Sequence, residues 1–252
     1  MRVRGMLSFS SVLLVSAWKG AVVPRFASAN GARFYQLAMC DFAALDWNEF
    51  HKGHEREWLL PYDGELEQWV GSNLGGLPRH ATLLELGCGT SDLAARLYDD
   101  GWRNVTSIDI SLQAVHRARA QYCGSRPELR YAVADARALH DIADGDMGAV
   151  VDKGTLDAIC CGEGFDYEAR RVASEAARVL APGGRWLCIS LMPPSVLRPL
   201  LVDPQVWSWV SCESLGEYHA YCAHRSRKGA MMNCWHWHPV EGGWRTRSRC
   251  PL

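Results

Sequence analysis

Leu83-Leu84-Glu85-Leu86-Gly87-Cys88-Gly89-Thr90-Ser91-Asp92 decides the fold. An apolar strand runs into two glycines and a helix start. About 20 residues further on, Ser107-Ile108-Asp109-Ile110-Ser111 ends a second strand in a carboxylate, the pattern of a nucleoside-binding βαβ unit. The loop lacks a third glycine, because Asp92 stands in that place. A pyrophosphate needs the bare positive end of a helix, and an aspartate in the first turn repels it. Thr90 and Ser91 are able to cap the helix themselves. Asp109 is placed to accept both hydroxyls of a ribose. S-adenosylmethionine has a ribose, a cationic sulfonium and no phosphate, so it suits the loop better than NAD does.

Outward from this unit the pattern alternates as in a parallel sheet with helices on its faces. Strands are expected at Ala81 to Leu86, Val105 to Ile110, Leu129 to Ala134, Met147 to Val151 and Trp186 to Leu191. Helices are expected from Ser91 to Asp100, from Ser111 to near Gly124, and from Tyr167 to Leu180 before Pro182-Gly183-Gly184. After Pro193-Pro194 the pattern changes, since Val206 to Cys212 and Tyr218 to Ala223 read as two strands joined by a short turn, hence antiparallel. The expected fold is therefore α/β: a Rossmann-like seven-strand methyltransferase sheet with a terminal antiparallel hairpin and helices on both faces. That hairpin and Asp92 set an NAD-dependent oxidoreductase far behind.

The chain of 252 residues, 48% hydrophobic and 22% charged, is long enough for one full core plus tails. A formal net charge of -1 gives no general pull toward nucleic acid or an anionic membrane. The first forty residues hold Arg2, Arg4, Lys19, Arg25 and Arg33 and no acid before Asp41, which suits an organelle transit leader. Met6 to Trp18 is too short to span a membrane, although it also fits the core of a secretory signal. Of the ten cysteines, Cys88 lies in the glycine loop, Cys160 and Cys161 are adjacent, and Cys188 lies in an apolar strand, so they do not form a disulfide framework. A reducing compartment follows, with the mitochondrion ahead of the cytosol. The expected organisation is a leader over 1–40, a helical lid over 41–80, the catalytic domain over 81–225 and a loosely ordered tail over 226–252.

Four blocks together resemble a known family: LLELGCGTSDLAARL, NVTSIDIS, the Asp135-Ala136 turn of YAVADAR, and VVDKGTLDAI followed by VLAPGGRWL. They are similar to the lysine methyltransferases that modify translation elongation factor 1-alpha, the methyltransferase-like 13 type, and to the mitochondrial citrate synthase lysine methyltransferase. The Asp152-Lys153-Gly154-Thr155-Leu156-Asp157-Ala158 block is the most specific, whereas the glycine loop is common to class I methyltransferases. The resemblance implies that Gly87 and Gly89 let the backbone approach the methionine part of S-adenosylmethionine, and that Glu85 anchors the loop or the amino group. It implies Asp109 on the ribose, Ile110 against the adenine, Asp135 and Ala136 at the adenine edge, and Lys153 by the carboxylate. Asp46-Trp47-Asn48-Glu49-Phe50-His51 and Glu57-Trp58-Leu59-Leu60-Pro61-Tyr62 resemble segments that fold over the cofactor, which makes Trp47 and Trp58 lid residues. His51 stands where the family carries tyrosine. The implied partner is a protein presenting a lysine, of elongation factor 1-alpha or citrate synthase type.

Competing readings accompany these roles. Trp69 suits the buried face of an amphipathic helix. Asp152 and Lys153 also fit a surface ion pair. His236, His238, Cys222 and Cys234 lack metal-ligand spacing, so no metal is expected. A lysine is only about one part in two thousand unprotonated at pH 7, so the site must desolvate it, with Asp152 and Asp157 as the carboxylates that steer the ammonium in. A small-molecule methyltransferase and a non-catalytic cofactor-binding protein are the other classes this sequence allows.

Overall fold

The computed structural model describes residues 45–53, 57–161, 165–201, 203–227, 237–240 and 243–246. The expected leader over 1–40 lies outside these residues, as do Cys234 and His236. The N-terminal part carries helices α1 (Trp47–Gly53) and α2 (Gly64–Leu74). There follow β1 (Leu83–Leu86), α3 (Leu93–Asp99), β2 (Val105–Asp109), α4 (Leu112–Tyr122), β3 (Arg130–Val133) and β4 (Met147–Lys153). Next come α5 (Thr155–Ile159), α6 (Phe165–Val179), β5 (Leu180–Ser190), α7 (Pro194–Leu197), β6 (Trp207–Leu215) and β7 (Tyr218–Arg225). Two short strands, β8 (Trp237–Val240) and β9 (Gly243–Thr246), end the described part of the chain.

The sheet runs β3-β2-β1-β4-β5-β7-β6, with β9 and β8 added at the β6 edge. β1 to β5 are mutually parallel, and β7 enters antiparallel between β5 and β6. The expected seven-strand order with its terminal hairpin is thus present, and its hairpin edge carries a two-stranded ribbon. Strands of four residues in a stretch rich in Trp, His and Arg leave too short a pattern to be read in sequence.

Period-two alternation distributes the core over both faces of the sheet. Leu83, Val105, Ala149, Val151, Leu187 and Ile189 face α2, α3 and α4, where Leu66, Trp69, Leu97 and Val115 complete one cluster. Leu84, Leu86, Ile108, Val150, Trp186 and Cys188 point the other way, against Val172, Ala176 and Val179 of α6. Trp69 takes the buried-helix-face role expected of it, at 6% exposure. Ser111 caps α4 as its position suggests, its hydroxyl accepting from Ala114 N at 3.2 Å.

β4 runs two residues past its expected end and carries Asp152 and Lys153 within the strand. The turn after it is the five-residue helix α5, which sequence periodicity did not signal because one turn cannot display a face. β5 begins before the Pro182-Gly183-Gly184 stop, the pairing with β4 slipping between Met147 and Ala149 so that the strand passes through the glycines.

Candidate functional site

At the carboxyl ends of β1, β2 and β4 the chain encloses a cavity of about 540 Å³, the place where open α/β sheets bind ligands. Its floor is the turn after β1. Gly87 has φ 71° and Gly89 φ 48°, both left-handed. At Gly87 a side chain is excluded twice over, by that φ and because a Cβ would collide with Thr155 Oγ1. The Thr155 hydroxyl donates to Leu86 O at 2.6 Å, so α5 is fastened to the end of β1 at this point. The absent side chain of Gly87 thus makes room for the chain's own Thr155.

Asp109 is 7% exposed. Its Oδ2 accepts from Gly89 N at 2.8 Å and its Oδ1 from Ser111 N at 2.8 Å. One carboxylate therefore holds the glycine loop and the start of α4, and each oxygen retains a lone pair for a ligand hydroxyl. Ile110 follows with 48% of its surface exposed, offering an apolar face at the cavity wall next to Ala134 and Ala136. Asp135 lines the same wall, but its carboxylate is gripped by Arg137 through Nε at 2.9 Å and Nη2 at 2.7 Å. Burial pushes the Asp135 carboxyl up, and the Arg137 contacts outweigh it and leave it below its ordinary value. Arg137 also reaches Glu168 at 3.1 Å.

The roof comes from the N-terminal segment. Trp47, Phe50, His51 and Trp58 pack ring against ring, with centroids 5.5 to 6.3 Å apart. Arg117 of α4 donates to His51 O at 2.8 Å and fixes α1 on the domain. His51 Nε2 and Trp58 Cδ1 lie 3.7 and 3.9 Å from where a Cβ of Gly89 would be, so both rings close on the glycine loop. His51, standing where the resembling family has tyrosine, is buried in this roof.

Nine of the ten expected residues, Trp47, Trp58, Gly87, Gly89, Asp109, Ile110, Asp135, Ala136 and Lys153, line the one cavity. Glu85 does not. It points to the α2, α3 and α4 face of the sheet, 2% exposed, and pairs with the Ser107 hydroxyl of the neighbouring strand. Burial pushes its carboxyl up to about 8.

The surface ion pair considered for Asp152 and Lys153 is not what the structure contains, since both are buried and neither bonds the other. Asp152 accepts from Thr155 N at 2.9 Å and Leu156 N at 3.2 Å, capping α5, and burial raises its carboxyl to about 7. Lys153 Nζ reaches Glu57 Oε1 at 2.5 Å and Trp58 O at 2.7 Å. The acid of the DKGTLDA block that lines the cavity is Asp157, 3% exposed, whose Oδ1 accepts from Ser190 Oγ and Leu191 N, both at 3.0 Å. Leu59, Thr155 and Arg137 also line the cavity; Leu59 and Thr155 take their places from neighbours distant in sequence, Gly154 and Leu86, whereas Arg137 is held by nearby Asp135, a pairing no motif marks. Among the described residues no His, Cys, Asp and Glu cluster suits a metal, and no helix is long and apolar enough to cross a membrane.

A parallel sheet of this order, an antiparallel hairpin, and a glycine loop bridged to an acid on β2 define a methyltransferase domain of the class I fold. Residues 83–184 match the sequence family described as methyltransferase domain. The chain is 36% identical over 173 residues to the eEF1A lysine and N-terminal methyltransferase of Xenopus laevis, covering 68% of this chain and 25% of that protein. It is 34% identical over 156 residues to EEF1A lysine methyltransferase 4 of Mus musculus, covering 58% of this chain and 60% of the relative. It thus spans a quarter of the length of the first relative. Among solved structures, the N-methyltransferase NodS of Bradyrhizobium japonicum, determined with S-adenosyl-l-homocysteine, superposes with a TM-score of 0.51 at 16% identity over 76% of this chain and 98% of that one, a likeness of fold.

Proposed function

We propose that this chain binds S-adenosylmethionine in the cavity under Trp47 and Trp58 and transfers its methyl group to the amine of a protein lysine. The observation that carries the reading is Asp109, buried at the end of β2 with both oxygens oriented by backbone N–H groups and with lone pairs left for a ribose diol. The cavity suits the rest of the cofactor. Ile110 and Ala136 offer apolar surface to an adenine, and Asp109 and Asp157 give the wall a carboxylate character that favours a cation over a phosphate. When bound, the cofactor supplies a methyl group already activated by its sulfonium, so the protein's task is placement and exclusion of water.

The chain's residues meet that task in separable ways. Asp109 and the glycine loop fix the nucleoside end. The Trp47 and Trp58 rings cover the cavity and keep water out. Asp157, held by Ser190 and Leu191 at the wall, accepts an N–H of the incoming ammonium and orients the nitrogen. The low dielectric of the covered cavity disfavours the charged ammonium, which must shed a proton to become a nucleophile. The names of the relatives favour a protein of elongation factor 1-alpha type as the bearer of that lysine, ahead of citrate synthase.

The test is incubation of the protein with a methyl-labelled cofactor and either purified elongation factor 1-alpha or citrate synthase, followed by mass spectrometry of lysine residues. Methyllysine on elongation factor 1-alpha is expected. Label found solely in small molecules would move the reading to a small-molecule methyltransferase, and binding of S-adenosylhomocysteine without any transfer would make the chain a non-catalytic binder.

A further inference from the structure

Whereas α1 is fixed by Arg117, the second part of the roof, around Trp58, is held by a buried ammonium. Lys153 leaves the end of β4 with its side chain 3% exposed, and the two acceptors of Nζ, the Glu57 carboxylate and Trp58 O, lie next to each other on the segment Glu57 to Leu60. A buried ammonium is stable only with such partners, so segment and strand are coupled: when one leaves, the other is stranded. Two residues along the same segment, Leu59 has φ 61°, the sole non-glycine residue with positive φ among those described. A branched side chain disfavours this conformation, which persists where surrounding contacts impose it. Those contacts are visible. Leu59 packs on Gly154, where a Cβ would come within 3.2 Å of Leu59 Cδ1, and Leu59 O accepts from the Tyr218 hydroxyl at 3.4 Å. The segment is thus a strap drawn over the glycine loop against local backbone preference, with Trp58 as its covering ring.

We propose that Lys153 is a positioning residue which latches this strap, and that it sets how fast the nucleoside cofactor leaves rather than holding the cofactor's carboxylate. The inference rests on the cofactor reading above. Its consequence is that Lys153 and Glu57 act as one unit, and that the whole ligand, including its nucleoside end, feels the loss of either.

Two ligands separate the latch from a carboxylate contact: S-adenosylhomocysteine, which has an amino-acid carboxylate, and methylthioadenosine, which lacks it. Dissociation is followed by stopped-flow tryptophan fluorescence and affinity by calorimetry, for the full chain and for Lys153→Met, Glu57→Gln and the double variant. The latch requires both single variants to speed dissociation of both ligands by about tenfold, the worth of a hydrogen-bonded charge, and the double variant to do no more than Lys153→Met. A loss confined to S-adenosylhomocysteine in Lys153→Met, with Glu57→Gln unchanged, overturns the latch and leaves the cofactor reading standing. Failure of the unaltered chain to bind either ligand overturns both. Should Lys153→Met not fold, Glu57→Gln alone decides, because Glu57 is partly exposed and glutamine keeps an amide oxygen, and Trp58 O remains, to accept from the Lys153 ammonium.

Discussion

Two residues of the opening motif have roles that their letters alone did not reveal. Gly87 is required by Thr155 as much as by its own φ of 71°. Gly87→Ala is expected to lower unfolding stability by about 2–4 kcal/mol, part from the left-handed backbone and part from the collision. Adding Thr155→Ala to it is expected to restore part of that loss, measured by urea denaturation of the two single variants and the pair; additive losses would contradict the packing explanation. Glu85 is the other case. Its folded-state value of about 8 lies above the ordinary carboxylate range, so the folded chain keeps a proton that the unfolded chain releases. The stability tied to this proton is complete below about pH 4.3 and is lost as pH rises through about 8. Glu85→Gln should therefore flatten the fall in stability between about pH 5.5 and about pH 8.5 by about 1 kcal/mol or more, read from urea midpoints at the two pH values. An unchanged slope would show that this carboxyl is not the group concerned.

The elements divide by length into those that sequence reveals and those it hides. β2, β4, α4 and α6 each carry enough residues for a period of two or 3.6 to be counted, four-residue β1 is marked instead by its apolar run into Gly87, and each lies within a few residues of its expected place. α5 does not, though it brings Thr155 and Asp157 to the cavity. What forms so short a helix is a cap from outside it: Asp152, at the end of β4, accepts from Thr155 N and Leu156 N. Asp152→Asn retains an acceptor there and is expected to fold with near-unaltered stability at neutral pH, whereas Asp152→Ala leaves two buried donors unmet and should cost about 1–3 kcal/mol. Methyl transfer should fall with Asp152→Ala because α5 loses its seat. Equal stability of the two variants would refute the capping role. The same logic disposes of the competing ion pair between Asp152 and Lys153: the two are adjacent, but successive residues of a strand point to opposite faces.

Over the whole molecule, spacing makes the site legible where one supersecondary unit builds it, whereas the Trp47 and Trp58 roof, supplied by a distant segment, is expected from family resemblance and not from any pattern of its own. The Gly87, Gly89 and Asp109 constellation is local to β1 and β2, and it was visible from spacing. The latch between Glu57 and Lys153, 96 residues apart, and the roof on Gly89 arise from tertiary closure alone. That closure makes ligand binding a whole-molecule event, since the cofactor cavity touches α1, the strap, the glycine loop, β4 and α5 together. A ligand that binds only this assembled state stabilises it by mass action, about 2.7 kcal/mol at a hundredfold excess over Kd. S-adenosylhomocysteine is therefore expected to raise the unfolding free energy of the chain by that amount. Asp109→Ala serves as the contrast, and its two effects must be separated. Without ligand it should already be less stable by about 1–3 kcal/mol, because Gly89 N and Ser111 N lose their acceptor. With ligand it should gain nothing further. If the variant still responds to S-adenosylhomocysteine as the unaltered chain does, Asp109 is a structural brace for the glycine loop and the ribose is held elsewhere.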